Sequence, residues 1–369
     1  MENKDPKDEF LRQNSSVYSS QAINNTSREY VFAPVSYLIK LIILTAMLSF
    51  GVYGLIANSL ILYFKHKQHR RRRHTIRRPF SRSLTEYFIN SLALSDLLCC
   101  LISLPLYSSE MFIDFVKSDS VCRFTRLFNS MFAVITILNL LVIGVERHLT
   151  IFHPFFILSR RTAKKMVAAA WVLGVLFTLV SVPAYGLVYF EDIDKNYYTL
   201  VCKYDSSMPL YRALFITFIS ILYIVPSFIL TFISLCILNR QRESQRADAF
   251  QNTRRALSRL KVTRMFVSLI FAFIIPYMAF SMYSSFRMVF KVNVSFTADY
   301  IVRHISVSLI YANGSISATI LIYYEKLYND FWSCFQSRSS TTNDQYNKTV
   351  QRKDPVYDEN ARKNRTSAV

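Results

Sequence analysis

The chain has 369 residues, a formal net charge of +20 and a hydrophobic content of 52%. With only 6 Gly and 10 Pro, its composition is neither that of a flexible linker nor that of a disordered protein. The apolar residues are gathered into long blocks instead of following one face of a helix, which predicts a membrane protein.

The first apolar block covers residues 38–64, and no charged residue occurs between Leu41 and Phe64. A run of about 18 or more such residues can cross roughly 30 Å of hydrocarbon. The block is too long for a signal-peptide core, and no small-residue cleavage site follows it. Six further blocks complete a predicted all-α bundle of seven transmembrane helices: 87–107, 126–146, 166–190, 209–238, 262–283 and 300–324.

The connections between the blocks differ in basic residues. The first, third and fifth connections carry 9, 5 and 7 Lys and Arg, whereas the second, fourth and sixth carry 1, 2 and 2. The positive-inside rule therefore places the N-terminus outside the cell. The run KHKQHRRRRHTIRRPFSR, residues 65–82, would alone be typical of a nuclear signal or a nucleic-acid site. In a cytoplasmic connection it predicts contact with anionic lipid, and no nucleic-acid partner is expected.

Cysteines and sequons agree with this orientation. Cys122 and Cys202 both fall on the oxidising outer side, where a disulfide between them is the natural pairing. Cys334 follows the last block in the aromatic stretch YNDFWSCF, which predicts a short membrane-surface helix and S-palmitoylation. Four N-x-Ser/Thr sequons lie on the outer side and predict glycosylation: Asn14, Asn24, Asn25 and Asn293.

The polar C-terminal segment, residues 337–369, predicts a disordered cytoplasmic tail. Its Ser and Thr cluster would form an acidic patch for an arrestin-type partner if phosphorylated. The ending Ser367-Ala368-Val369 fits strand addition to a PDZ domain. A solvated tail without partners is the alternative.

Several motifs resemble those of one receptor family. Asn58 lies in GLIAN of the first span, and Asp96 lies in NSLALSDLL of the second. Cys122 at the start of the third span precedes Arg147 by 25 residues. Over residues 38–336 these motifs and their spacing resemble the rhodopsin-like, or class A, G-protein-coupled receptors.

The resemblance implies a receptor and no enzyme. It divides the chain into an extracellular segment, residues 1–37, the bundle with its membrane-surface helix, and the tail. It implies a multi-pass protein of the plasma membrane that binds an extracellular ligand and activates a heterotrimeric G protein. The run Glu146-Arg147-His148 would then be the G-protein switch, because an arginine released from its acidic neighbour can enter a cavity that opens between the helices.

Two further clusters follow from the resemblance. The activation core would contain Ile137 and Pro226, with Phe273 as its third member or, in the other possible register of the sixth span, Ile270. A polar cluster in the membrane would hold an allosteric sodium ion, since oxygen ligands suit hard cations, and no other cofactor is expected. The alternative is a protonated Asp96 with hydrogen-bonded neighbours. The predicted sodium cluster consists of Asn58, Asp96, Thr136, Asn313 and Ser317.

The seventh span departs from the family pattern. Where the family has Asn, Pro and Tyr, this chain has Ser317, Ala318 and Leu321. His148 replaces the aromatic residue after the switch arginine. The departures resemble an invertebrate neuropeptide-receptor-like branch, and they leave a receptor that does not signal as an alternative.

Individual residues argue against two ligand classes and in favour of a third. No Lys occurs in the seventh span to form a Schiff base, which argues against an opsin. Asn129 stands where amine receptors have Asp. The β character of YTLVCKY predicts a hairpin lid and favours a neuropeptide, with a non-peptide small molecule as the alternative. A seven-span transporter is the rival from another class, although no internal repeat is seen. The predicted ligand pocket contains Asn129, Tyr277, Arg303, His304 and Tyr311.

Overall fold

The computed structural model describes residues 29–72, 80–153, 158–194, 197–205, 208–247, 254–290 and 294–324. Within these residues seven helices are long and apolar enough to cross a membrane, which confirms the predicted all-α bundle. The helices are α1 (Tyr37–Arg72), α2 (Phe80–Leu98, continued by a π-helical turn at Cys99–Ser103 and by Leu104–Phe112), α3 (Asp119–Phe152), α4 (Arg160–Ser181), α5 (Pro209–Ile219, a π-helical turn at Ser220–Ile224 and Val225–Ala247), α6 (Arg254–Phe290) and α7 (Phe296–Tyr324).

Helix α3 lies at the centre of the bundle and contacts α2, α4, α5 and α6. Its start is fixed by the Ser118 side chain, which accepts a hydrogen bond from the backbone N–H of Val121 at 3.4 Å. Asp119 in the first turn complements the helix dipole. Ile137 and Leu140 on α3 are fully buried and belong to the main hydrophobic cluster. This central position lets one helix reach both faces of the membrane.

Each of the two π-helical turns is followed closely by a proline. Proline has no backbone N–H, so Pro105 and Pro226 cannot donate to the carbonyl four residues earlier. In both helices the bonding lengthens to a five-residue step: the N–H of Leu104 donates to the Cys99 carbonyl, and that of Val225 donates to the Ser220 carbonyl. Both turns lie in the outer parts of their helices.

A line of small residues lets α4 approach α3 closely. The stripe contains Ala170, Gly174 and Thr178, all buried. A Cβ atom added to Gly174 would lie 2.5 Å from Ile135 Cγ1 and 3.3 Å from Ile135 Cα. The opposite side of α4 exposes large apolar residues such as Val172, Leu176 and Val180, as expected of a face that meets lipid.

A β-hairpin covers the outer end of the bundle. Strand β2 (Tyr185–Asp194) pairs antiparallel with β3 (Tyr197–Tyr204), and β1 (Glu29–Tyr30) joins β3 in parallel. The Cys122–Cys202 disulfide fastens β3 to the start of α3. The predicted hairpin and the predicted disulfide are therefore both confirmed.

The predicted end of the fourth span is wrong. The fourth apolar block predicts a helix that continues to residue 190, but α4 ends at Ser181 and a short 3-10 turn, Val182–Ala184, leads into β2. Pro183 lies in that turn, where its missing N–H prevents continuation of the helix. The apolar residues that follow cover the cavity instead of crossing the membrane.

Several sequence predictions lie outside the described residues. They concern the sequons, the palmitoylation site, the membrane-surface helix and the C-terminal tail: Asn14, Asn24, Asn25, Asn293, Cys334 and residues 325–369.

Candidate ligand cavity and signalling site

A cavity of about 1350 Å³, including its open mouth, lies beneath the hairpin and among the outer halves of the helices. Three residues of the predicted ligand pocket line it: Asn129 on α3, and Arg303 and Tyr311 on α7. The hairpin contributes Tyr185 and Tyr204 to the same wall. The structure thus brings most of the predicted pocket together under the predicted lid.

His304 and Tyr277 do not line this cavity, so their assignment to the ligand pocket is corrected. The His304 ring stacks on Tyr300 with a centroid distance of 3.9 Å and lies 5.3 Å from the Tyr107 ring. Its Nδ1 lies 2.7 Å from the Tyr300 carbonyl, so the imidazole is packed behind the wall. Tyr277 is buried below the cavity against Tyr223 and Phe273, at centroid distances of 5.4 and 4.8 Å.

A buried ion pair links α2, α3 and the hairpin. Arg126 Nη2 lies 2.7 Å from Glu110 Oε2, and it also donates to the Cys202 carbonyl at 3.0 Å. Tyr107 lies under the guanidinium, with 5.7 Å between Arg126 Cζ and the ring centroid. The side chains of Arg126 and Glu110 are 14% and 12% exposed. Arg126 is therefore held by the protein and does not extend toward the membrane surface.

The mouth of the cavity carries three more cations: Lys203 on β3, Arg287 on α6 and Arg303 on α7. Asp299 is the single acidic side chain on the described lining, and it already accepts hydrogen bonds from Arg287 and from the Tyr283 hydroxyl. Burial and the neighbouring Arg287 and Arg303 lower the pKa of Lys203 to about 8. The mouth is thus strongly positive.

The predicted polar cluster has formed around Asp96. Thr136 donates to Asp96 Oδ1 at 2.9 Å, and the Ser95 hydroxyl lies 2.9 Å from that of Thr136. Asp96 Oδ2 is buried and has no hydrogen-bond partner among the described residues. A small cavity beside it is lined in part by Asn313 and Tyr277. An unpaired carboxylate oxygen near hydroxyl and amide groups fits a hard monovalent cation.

Two predicted members are less directly connected to this cluster. Asn58 is fully buried, but its amide donates to the Gly54 carbonyl of its own helix at 2.9 Å. Ser317 contacts Asn313, with 3.5 Å between the hydroxyl and the amide oxygen, and does not line the small cavity.

The predicted activation core lies just below this level. Ile137 and Phe273 are fully buried, Ile270 is 1% exposed, and all three belong to one hydrophobic cluster. Pro226 is also buried. Both candidates for the third position, Phe273 and Ile270, belong to the same core, so both registers of the sixth span remain predictions.

The cytoplasmic end of α3 carries the predicted switch. Arg147 Nε lies 3.0 Å from Glu146 Oε2, and these side chains are 9% and 2% exposed. Thr150 donates to Glu146 Oε1 at 3.3 Å. The His148 ring stacks on Phe152 instead, with a centroid distance of 4.6 Å. The sequence of α6 contains no Asp or Glu, so α6 offers no acid to Arg147 and the described pair is made within α3.

Comparison with known proteins identifies the family. The model of the 7 transmembrane receptor (rhodopsin family) matches residues 73–316. The chain belongs to this family. It is thus a receptor of the G-protein-coupled class and not an enzyme, and its seven spans make it a multi-pass protein of the plasma membrane.

Individual relatives of this rhodopsin-family receptor are more distant. Neuromedin-U receptor 1 of Mus musculus is 32% identical over 117 residues, which cover 30% of this chain and 27% of the relative. Probable G-protein coupled receptor 19 of Homo sapiens is 30% identical over 168 residues, which cover 44% of this chain and 37% of the relative. Probable G-protein coupled receptor 45 of Mus musculus is 24% identical over 290 residues, which cover 71% of this chain and 74% of the relative. The chain thus spans about a third of the first relatives it matches.

Sequence reasoning missed three residues of the cavity lining, Lys203, Arg287 and Asp299, and also Glu110, the acid that pairs with the lining residue Arg126. By the apolar blocks, Glu110, Arg287 and Asp299 fall in connections between spans, where charged residues are ordinary. The structure shows that the helices extend past the apolar blocks, so these residues occupy their outer turns. An acid and an arginine at matching depth on neighbouring helices would have been the only signal.

Proposed function

We propose that this receptor binds an extracellular neuropeptide and activates a heterotrimeric G protein. The observation that carries the proposal is the course of α3. Its 34 residues extend about 50 Å, from the disulfide at Cys122, past the cavity at Asn129, to the buried Glu146–Arg147 pair. One rigid helix therefore joins a ligand-sized cavity to a charged group at the cytoplasmic face.

The peptide class is supported by the lid and by the relatives. The cavity has an open mouth and lies beneath a β-hairpin, which suits an extended chain better than a small enclosed ligand. The relatives include neuromedin-U receptor 1 of three mammals and neuromedin-U receptor 2 of Rattus norvegicus. Ligand binding would favour a state in which α5 and α6 move away from α3, and Arg147 would then exchange Glu146 for a G-protein contact.

Arg147→Ala is expected to lower the potency or the maximal response of ligand-driven G-protein signalling at least 100-fold. Its ligand affinity should stay within a few fold of the wild-type value. A neuropeptide library is applied to cells that express the chain with promiscuous G proteins, and calcium release is measured. Labelled hits are then tested for binding to both proteins at equal surface expression. A hit that signals equally well through Arg147→Ala would rule out the proposed switch.

A receptor that does not signal is the second candidate. Ser317, Ala318 and Leu321 replace the family's Asn, Pro and Tyr and are almost completely buried, so only a small hydroxyl and two apolar side chains occupy the place of the motif. This candidate predicts hits that bind to the surface-expressed protein without calcium release. Binding accompanied by release would eliminate it.

We also propose that the Asp96 cluster binds a sodium ion as an allosteric cofactor. Asp96 Oδ2 and the Thr136 hydroxyl would provide ligands, with Asn313 on the opposite wall. Replacing Asp96 with Asn removes the charge at nearly constant volume. We expect sodium to lower agonist affinity several-fold in the wild type and to have no effect in Asp96→Asn, with equimolar N-methyl-glucamine as the ionic-strength control. Equal sodium effects in both proteins would contradict the proposal.

The remaining partners rest on sequence alone. Arrestin and PDZ partners belong to the tail, outside the described residues. Lipid contact has partial support, because α1 continues as a helix to Arg72 and thereby carries basic residues beyond the apolar block.

A further inference from the structure

The cavity is divided by depth into two chemically different zones. Arg126, Arg287 and Arg303 occupy the outer turns of their helices. Ala133, Phe280 and Tyr311 lie seven, seven and eight residues further into the membrane along the same helices, or about 10–12 Å deeper. The deep zone is apolar and aromatic, and Ile219 and Tyr223 of α5 complete it.

The cations of the outer zone exceed the acids that could neutralise them. Glu110 pairs with Arg126, and Asp299 pairs with Arg287. Lys203 and Arg303 form no ion pair with a described side chain, and Arg303 Nε is buried without a hydrogen-bond partner among the described residues. A buried guanidinium nitrogen without a partner is costly, and an anionic oxygen is the group that satisfies it best.

We propose that the ligand carries an anionic group that binds between Lys203, Arg287 and Arg303, together with an apolar or aromatic group that enters the zone about 10 Å below. The inference rests on the proposed function, whose ligand class it narrows to acidic peptides. The anionic oxygens are those of a terminal or side-chain carboxylate or of a sulfate ester. Arg303 would donate to them through its fork of N–H groups, and Lys203 would supply a point charge.

The first test is a selection of random peptides on the purified receptor in nanodiscs. The enriched peptides are expected to contain an acidic residue or a free C-terminus next to an aromatic residue, and to bind Arg303→Met at least tenfold more weakly. Arg303→Glu should enrich Lys and Arg instead. Lys117→Met serves as the control, because Lys117 is 73% exposed outside the cavity and should leave the selection unchanged.

Failure of this inference can be distinguished from failure of the proposed function. Enrichment of neutral or basic peptides by the wild type would overturn the anionic class and leave a peptide ligand standing. Failure to enrich any peptide would count against a peptide ligand. In that case the melting temperature of the receptor is measured in the presence of N-acetyl-phenylalanine, which is an anion, and of its uncharged amide. Stabilisation by the acid alone supports the inference, and equal or absent stabilisation overturns it.

The pH dependence gives an independent readout. Lys203 faces Arg287 and Arg303, the acids Asp299 and Asp205, and the Phe190 ring, whose centroid lies 4.8 Å from its ammonium. With a pKa of about 8 in the free receptor, Lys203 takes up a proton when an anion binds. Affinity for an acidic peptide should therefore be nearly constant between about pH 6 and pH 7, where its carboxylate is ionised, and fall about tenfold between about pH 7 and pH 9. Lys203→Arg should abolish this fall, since Arg stays charged, and a fall of equal size in Lys203→Arg would contradict the role of Lys203.

Discussion

Replacing Glu110 with Ala is expected to destabilise the receptor by about 3–5 kcal/mol, because it leaves the Arg126 guanidinium buried without its carboxylate. That loss is a large share of the roughly 5–15 kcal/mol that stabilises a typical folded domain. The protein should reach the cell surface poorly and melt at a lower temperature in detergent. Surface labelling and a melting curve measure both effects.

The double variant Glu110→Leu with Arg126→Met distinguishes loss of charge balance from loss of packing. It removes both charges at similar volume, so it should recover most of the surface expression that the single variant loses. Glu243→Gln is the matched exposed control. The Arg240–Glu243 pair has side chains 62% and 65% exposed, and its loss should cost about 1 kcal/mol at most. Wild-type melting of Glu110→Ala would show that Arg126 does not depend on Glu110.

Gly174→Val is expected to have a comparably large effect through packing. The first added carbon alone would lie 2.5 Å from Ile135 Cγ1, and it would also press on the Ile135 backbone, which cannot rotate away. Helix α4 must then move away from α3. Overpacking of this kind costs about 1–3 kcal/mol or more. The readouts are melting temperature and surface expression.

Ala169→Val introduces the same final side chain, with two added carbons instead of three, one position away from the small-residue stripe. Ala169 is exposed, so this variant should melt as the wild type does. If Gly174→Val and Ala169→Val lowered the melting temperature equally, the cause would be an effect of Val on the helix and not the contact with Ile135.

The helices could be predicted from the sequence because length and hydropathy alone determine which segments cross a membrane. Orientation followed from the basic connections. The disulfide followed from orientation, because Cys122 and Cys202 are the two cysteines that the predicted topology places on the oxidising outer side. The end of the fourth span could not be predicted in this way. Residues 185–190 are apolar, and hydropathy cannot distinguish a half-buried strand over the cavity from the end of a membrane helix.

The arrangement of side chains around the cavity was harder to predict from the sequence. Asp96 and Thr136 could be paired because a known family motif fixes their helix rotation. The Glu110–Arg126 pair depends on how far α2 and α3 continue above the apolar blocks and on how each is rotated there. Similarly, the sequence cannot show that His304 faces Tyr300 and Tyr107 and not the cavity.

The two π-helical turns have a consequence for alignment with other receptors. A π turn accommodates one residue more than the same stretch of α-helix, and one residue corresponds to a rotation of about 100°. Beyond Cys99–Ser103 and Ser220–Ile224 the outer ends of α2 and α5 are therefore turned relative to their inner ends. In a relative whose second helix lacks the extra residue of the π turn, the side chain aligned with Glu110 would face another direction. An alignment of these two outer ends is physically equivalent only if it contains a one-residue gap at each turn.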